Sequence, residues 1–135
     1  LPQLQRTFRI GLPIRFNGID TPERGQPFGN NATDFVKDMV GGRMVRLVTH
    51  GEDRYGRTIG DIYLVGDDSE DLFLNRELVK AGLAWHYKEY SDDKRLADDE
   101  DNARLKKLGL WGGSHKPIPP WDWRKMSKEE RDEFR

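Results

Sequence analysis

The spacing of apolar residues changes period several times along the 135-residue chain. Thr7 to Ile10 and Pro13 to Asn17 read as two short strands joined tightly at Gly11-Leu12. Ile19 to Phe28 is rich in Gly and Pro and reads as a loop. From Asn31, the residues Ala32, Phe35, Val36, Met39 and Val40 recur at helical spacing until Gly41-Gly42 stops them. Arg43 to Thr49 and Arg57 to Val65 read as strands, separated by a polar loop from Gly51 to Gly56. After a turn from Gly66 to Glu70, Phe73 to Ala81 predicts a short helix closed by Gly82. Ser91 is the expected N-cap of a helix over about 92–107, with a thin stripe of Leu96, Ala103 and Leu108, ended by Gly109. His115 to Trp121 is Pro-rich and extended, and Met126 to Arg135 predicts a charged terminal helix capped by Ser127. Strands, a helix, two strands and further helices predict an α+β fold with a small barrel.

Composition narrows the functional classes. Hydrophobic and charged residues are each 35%, and aromatic residues, at 10%, supply large buried areas for one domain. The absence of cysteine excludes a disulfide scaffold, a Cys-ligated zinc site and a thiol nucleophile. No apolar run approaches the roughly 20 residues needed to cross a bilayer, so no membrane partner is expected. No signal peptide is visible, although the chain opens at Leu1 without Met, which leaves export open. The net charge is −1, but residues 1–57 carry nine Lys/Arg against six Asp/Glu, so an anionic ligand is expected to approach that half.

Two segments carry candidate chemistry. In Arg15-Phe16-Asn17-Gly18-Ile19-Asp20-Thr21-Pro22-Glu23, a strand delivers Arg15 and a loop carries Asp20 and Glu23 three positions apart, able to face one cavity. Hard cations such as calcium take oxygen ligands, which the Asp20 carboxylate and the Thr21 carbonyl supply, while Glu23 suits a general base holding a water. In Asp53-Arg54-Tyr55-Gly56-Arg57, a turn feeds a strand and places Arg57 at its start. Arg15 and Arg57 offer two planar forks to phosphate oxygens, and such forks stabilise the charge that builds on a five-coordinate phosphorus. His50, His86 and His115 show no metal-ligand spacing, and the acidic run from Asp98 to Asp101 reads as a solvated helix face.

These segments, with Gln26-Pro27-Phe28-Gly29, Asn75 with Leu78-Val79, and Gly82-Leu83-Ala84-Trp85, carry a resemblance. The chain resembles the thermonuclease family, typified by staphylococcal nuclease, from about Thr7 to Trp123. The ending Gly109-Leu110-Trp111, followed by Pro119-Pro120-Trp121-Asp122-Trp123-Arg124, is similar to many bacterial members. The resemblance implies a five-stranded OB-type barrel with three helices over residues 1–124, and a charged extension over 125–135. It implies calcium-dependent hydrolysis of DNA or RNA phosphodiester bonds. By position, Arg15 and Arg57 match the phosphate-binding arginines, Asp20 and Thr21 the calcium ligands, and Glu23 the residue assigned to water activation. Tyr55 and Tyr90 match aromatics beside the bound nucleotide, and Lys88 stands where the family has a second tyrosine.

One departure sets up an alternative. The family opens its second strand with Asp-Gly-Asp-Thr, whereas Leu4-Gln5-Arg6-Thr7 aligns there, with Arg6 in place of a calcium-binding Asp. At ~4 Å and an effective dielectric of about 20, a unit charge pair is worth roughly 4 kcal/mol, so a cation beside Asp20 competes with calcium. The alternative is therefore a catalytically impaired module that binds nucleic acid or protein without cutting. The first strand also looks truncated, since only Leu1 to Gln5 precede the motif, and an unpaired edge points to a homodimer formed by strand exchange.

Overall fold

The computed structural model describes residues 3–6, by their backbone alone, together with 13–66 and 69–135. The strand expected from Thr7 to Ile10, the Gly11-Leu12 link, the middle of the turn from Gly66 to Glu70 and the Arg6 side chain lie outside the described residues.

The main sheet is built from β1 (Gln3–Arg6), β2 (Ile14–Phe16), β4 (Val45–Glu52), β5 (Thr58–Leu64) and β6 (Leu72–Phe73). Its order is β1-β4-β5-β2, with β6 also paired to β5. All its ladders are antiparallel except β2–β5, which is parallel and sets Arg15 opposite Ile59. A second, two-stranded ladder joins β3 (Ile19–Asp20) to β7 (Trp85–His86). The expected closed barrel is not what the described strands form: they make an open five-stranded sheet and a separate pair. β1 pairs with β4 of the same chain, from Gln3 opposite Val48 to Arg6 opposite Val45, so the strand-exchanged dimer has no support.

Alternation along the strands decides the core. In β5, Gly60, Ile62 and Leu64 are buried while Ile59, Asp61 and Tyr63 face the other way. Val45 and Leu47 of β4 join them, covered by Leu74, Leu78 and Val79 of α2 (Leu74–Lys80). Helix α1 (Gly29–Val40) adds Ala32, with Phe35, Val36, Met39 and Val40 packed against the cluster, as their spacing predicts. It begins two residues earlier than the pattern suggests, directly after Phe28, whose φ is 70°.

Among the described residues there are five α-helices and a 3-10 turn (Gly109–Gly112), against the three helices that the resemblance implies. Helix α3 (Lys94–Leu105) is capped by Asp93, which accepts the Arg95 N–H, and not by Ser91. The Ser91 hydroxyl instead lies 3.0 Å from His86 Nε2. Leu96 and Ala103 are buried as expected, but Leu108 lies beyond the helix and is exposed. The acidic run is not uniformly solvated. Asp98 and Asp101 face solvent, while Asp99 and Glu100 are buried and paired with Arg76 and Arg104. The aromatic segment after the extended Pro-rich stretch folds into a short helix α4 (Pro120–Trp123), and the terminal helix α5 (Lys128–Asp132) carries the expected Ser127 cap.

Candidate nucleic-acid cleft

The loop from Asn17 to Glu23 is pinned from three sides. Asn75, fully buried at the start of α2, accepts the Ile62 N–H and donates to the Asn17 and Gly60 carbonyls. The Gly18 carbonyl accepts the Tyr87 N–H, and pairing with β7 fixes Ile19 and Asp20. The backbone then turns at Glu23, whose N–H is held by Gln26 Oε1 and whose carbonyl accepts the Gln26 N–H. Gly29 is needed beneath this turn, since a Cβ there would lie 2.1 Å from the Glu23 carbonyl oxygen. Gln26 also donates Nε2–H to the Ile118 carbonyl at 2.6 Å, tying the loop to the C-terminal arm.

On the opposite side, the 53–57 turn connects β4 to β5. Asp53 Oδ1 accepts the N–H groups of Tyr55 and Arg57, and Oδ2 accepts Arg57 Nε–H at 2.7 Å. Burial alone would raise the Asp53 carboxyl, but those N–H bonds and the Arg57 guanidinium hold it below its ordinary value. Tyr55 stands 70% exposed, with the Arg54 and Arg57 guanidinium carbons 5.1 and 5.9 Å from its ring centroid.

Between these walls lies an open cavity of about 640 Å³. Arg15, Arg57, Tyr55 and Tyr90 line it. Arg15 also lies 5.4 Å over the Tyr87 ring. Lys88 does not line this cavity; it borders a separate one of about 190 Å³ with Trp85, Glu100 and Trp121. Asp20 and Glu23 do not line the cavity either, because a residue to which the sequence assigned no role stands there in their place.

That residue is Arg124, at the end of α4. It donates Nη1–H and Nη2–H to the two Asp20 oxygens at 2.9 and 2.7 Å, and Nε–H to Glu23 Oε1 at 2.5 Å. Trp123, 1% exposed, anchors the arm with Phe134 edge-on and Arg131 over its ring. Trp121 stacks on Tyr87 at 5.0 Å and meets Trp85 edge-on. Burial pushes the Asp20 carboxyl up, against the hydrogen bonds and charge of Arg124, which pull it down. Arg124 is itself held above its ordinary value, chiefly by its hydrogen bonds to Asp20. The pair is therefore a charged, bidentate contact on a carboxylate that burial disfavours.

Residues 13–113 match the family described as staphylococcal nuclease homologue. The chain belongs to that family. It is 43% identical over 125 residues to staphylococcal-like nuclease CAN1 of Arabidopsis thaliana, covering 93% of this chain and 36% of that protein. It is 38% identical over 116 residues to an uncharacterized endonuclease of Escherichia coli, covering 86% of this chain and 72% of that one. An uncharacterized endonuclease of Haemophilus influenzae is 38% identical over 117 residues, 87% of this chain and 62% of that protein. The chain thus spans about a third of the length of the plant relative.

The calcium ligands that the family resemblance implies meet an obstacle. Asp20, Glu23 and the Thr21 carbonyl are oxygen donors of the right kind. Both Asp20 oxygens and one Glu23 oxygen are taken by Arg124, and no cluster of three or more acids or histidines able to hold a metal occurs among the described residues. In this arrangement the donors do not fit a calcium ion. The family match begins at residue 13, so Arg6 falls outside it; the cation found at the acid pair is Arg124.

The cleft residues that the sequence reading gave no role include Arg124, Tyr87, Arg54 and His50, whose Nε2 lies 2.8 Å from Asp61 Oδ2. Tyr87 had a readable signal, because it alternates with Trp85 and so shares that residue's side of an extended segment. For Arg124 the sequence offered only one of two adjacent cations, Arg124 and Lys125, at the end of the Pro119–Trp123 run. Among the described residues, no helix is long and apolar enough to cross a membrane.

Proposed function

We propose that this chain is a phosphodiesterase that hydrolyses DNA or RNA strands lying in the cleft between Arg15 and Arg57. The single observation that carries this reading is the convergence of both guanidiniums on one open cavity of about 640 Å³. The scissile phosphate sits between the two forks, and Tyr55 and Tyr90 flank it where a base could stack. Water attacks phosphorus in line and the bond to the 5′-oxygen breaks, with Arg15 and Arg57 stabilising the negative charge that builds on the equatorial oxygens. Glu23 orients the water at the Arg124 edge; among the described residues its Oε1 alone accepts a hydrogen bond. No step is assigned to a metal ion.

The test is digestion of plasmid and of single-stranded DNA and RNA, with and without calcium, by the chain and by Arg15→Ala and Arg57→Ala. Cleavage by the parent and its loss in both variants supports the reading; equal activity in all three overturns it. A second reading, a module that binds nucleic acid without cutting, is favoured by the Arg124 contact, since that contact occupies the acid pair. Binding without cleavage in either condition would select it.

A further inference from the structure

We infer that His50 is the general acid of the cleft: its imidazole, oriented by Asp61, gives a proton to the 5′-oxygen as the bond from phosphorus to that oxygen breaks. The inference deepens the nuclease reading and rests on it. Its ground is one face of the sheet. Ile59, Asp61 and Tyr63 point away from the core, and Arg15 stands opposite Ile59. Asp61 comes two residues after Ile59, roughly 7 Å further along the same face. There its Oδ2 lies 2.8 Å from His50 Nε2, while its Oδ1 accepts Asn17 Nδ2–H at 3.2 Å. An ionised carboxylate only accepts, so Nε2 carries its hydrogen and Nδ1 is the nitrogen left to exchange a proton. Among the described residues Nδ1 makes no hydrogen bond, and His50 lines the same cavity as Arg15 and Arg57.

The proposed hydrolysis leaves one need unmet. In-line displacement puts the attacking and leaving oxygens on opposite sides of phosphorus. Glu23, in the acid loop, attends the water, but the 5′-oxygen departs as a costly alkoxide unless a proton reaches it. His50 belongs to the β4–β5 hairpin, whose 53–57 turn forms the wall across from the acid loop. The other polar side chains that this hairpin turns to the cavity are poor donors of a proton. Arginine does not release one in a protein, which removes Arg54 and Arg57. Asp53 is an acceptor, held by two backbone N–H groups and Arg57. Tyr55 is 70% exposed, with its ring engaged by both guanidiniums. Imidazole is the side chain that takes up and yields a proton near neutral pH. The step balances. The bond from water oxygen to phosphorus forms, the bond to the 5′-oxygen breaks with its electron pair on that oxygen, and the Nδ1 proton passes to it. One proton of the water leaves to solvent on the Glu23 side, and solvent reloads Nδ1, with the Asp61 carboxylate steadying the imidazolium.

The test compares two DNA oligonucleotides, one ordinary and one with sulfur in place of the 5′-oxygen at a single linkage. A thiolate leaves without a proton, whereas an alkoxide needs one. His50→Ala should cut the ordinary strand about 10²-fold more slowly than the parent, the usual worth of a general acid, and the sulfur linkage within about threefold of the parent rate. Asp61→Asn, which acts through the imidazole, should fall between the two on the ordinary strand and show the same recovery on sulfur. His50 is exposed, so its removal should leave the circular dichroism spectrum unchanged. Slowing of His50→Ala by one factor on both strands, or no slowing on the ordinary strand, overturns the inference and leaves the nuclease reading standing. A parent chain that cuts neither strand, with or without calcium, removes the nuclease reading and the inference with it.

Discussion

Two ion pairs flank the cleft, and they obey opposite rules. Asp53 and Arg57 are four residues apart within one turn, and the same backbone that bends the chain supplies most of the N–H groups on the carboxylate. Asp20 and Arg124 are 104 residues apart, and nothing local brings them together. The first carboxyl is held below its ordinary value, while burial pushes the second above it despite the guanidinium on both oxygens. The same pairing chemistry thus prepares an arginine for a ligand in one place and restrains an acid in the other. Burial, not the presence of a partner, makes the difference.

The comparison breaks most visibly at the arginines of the cleft. Replacing Arg57 or Arg15 by Ala should lower kcat/KM for plasmid cleavage by about 10²–10³, the usual cost of one transition-state donor, with an unchanged circular dichroism spectrum. A loss below tenfold at Arg57 would mean that the Asp53 turn is scaffolding and that the catalytic charge lies on the Arg124 side.

Asn75 holds the two sides in register, since its amide joins β5 to the Asn17 carbonyl at the head of the acid loop. Asn75→Ala would leave several buried backbone groups without partners, at about 1–3 kcal/mol each before relaxation. Urea unfolding should show a loss of about 2–4 kcal/mol in total. A loss under about 1 kcal/mol would mean that β3 and β7 fix the loop without it.

What the sequence discloses follows the same division. Helix α1, helix α2 and the strands β4 and β5 are legible because each is set by spacing within a dozen residues. The Asp53–Arg57 turn is legible for that reason too, its carboxylate closing on N–H groups two and four residues on. Arg124 is not legible, because its meeting with Asp20 depends on where Trp123 buries and where Trp121 stacks, which no local period encodes. The physical idea of a cation opposing calcium at Asp20 was available from Arg6, and the residue seen there comes from the other end of the chain. Asp99 and Glu100 are hidden for a related reason: their partners Arg76 and Arg104 make buried acids look like part of a solvated run.

The smallest effect is also the most specific, because it asks for opposite signs from two carboxylates. Asp20 has a folded value above 3.8, so between 3.8 and that value the folded chain keeps a proton the unfolded chain has released. Its contribution to stability is therefore lost as pH rises through that window. Asp53 has a folded value below 3.8, so its contribution is present above 3.8 and is lost as pH falls toward the folded value. Urea unfolding of the parent, Asp20→Asn and Asp53→Asn across pH 3 to 7 isolates each share by difference. Asp20→Asn should remove a decline on the alkaline side of 3.8, and Asp53→Asn a decline on the acid side. Two variants that flatten the same side would show that the guanidinium, rather than burial, governs Asp20, and the distinction between the two pairs would disappear.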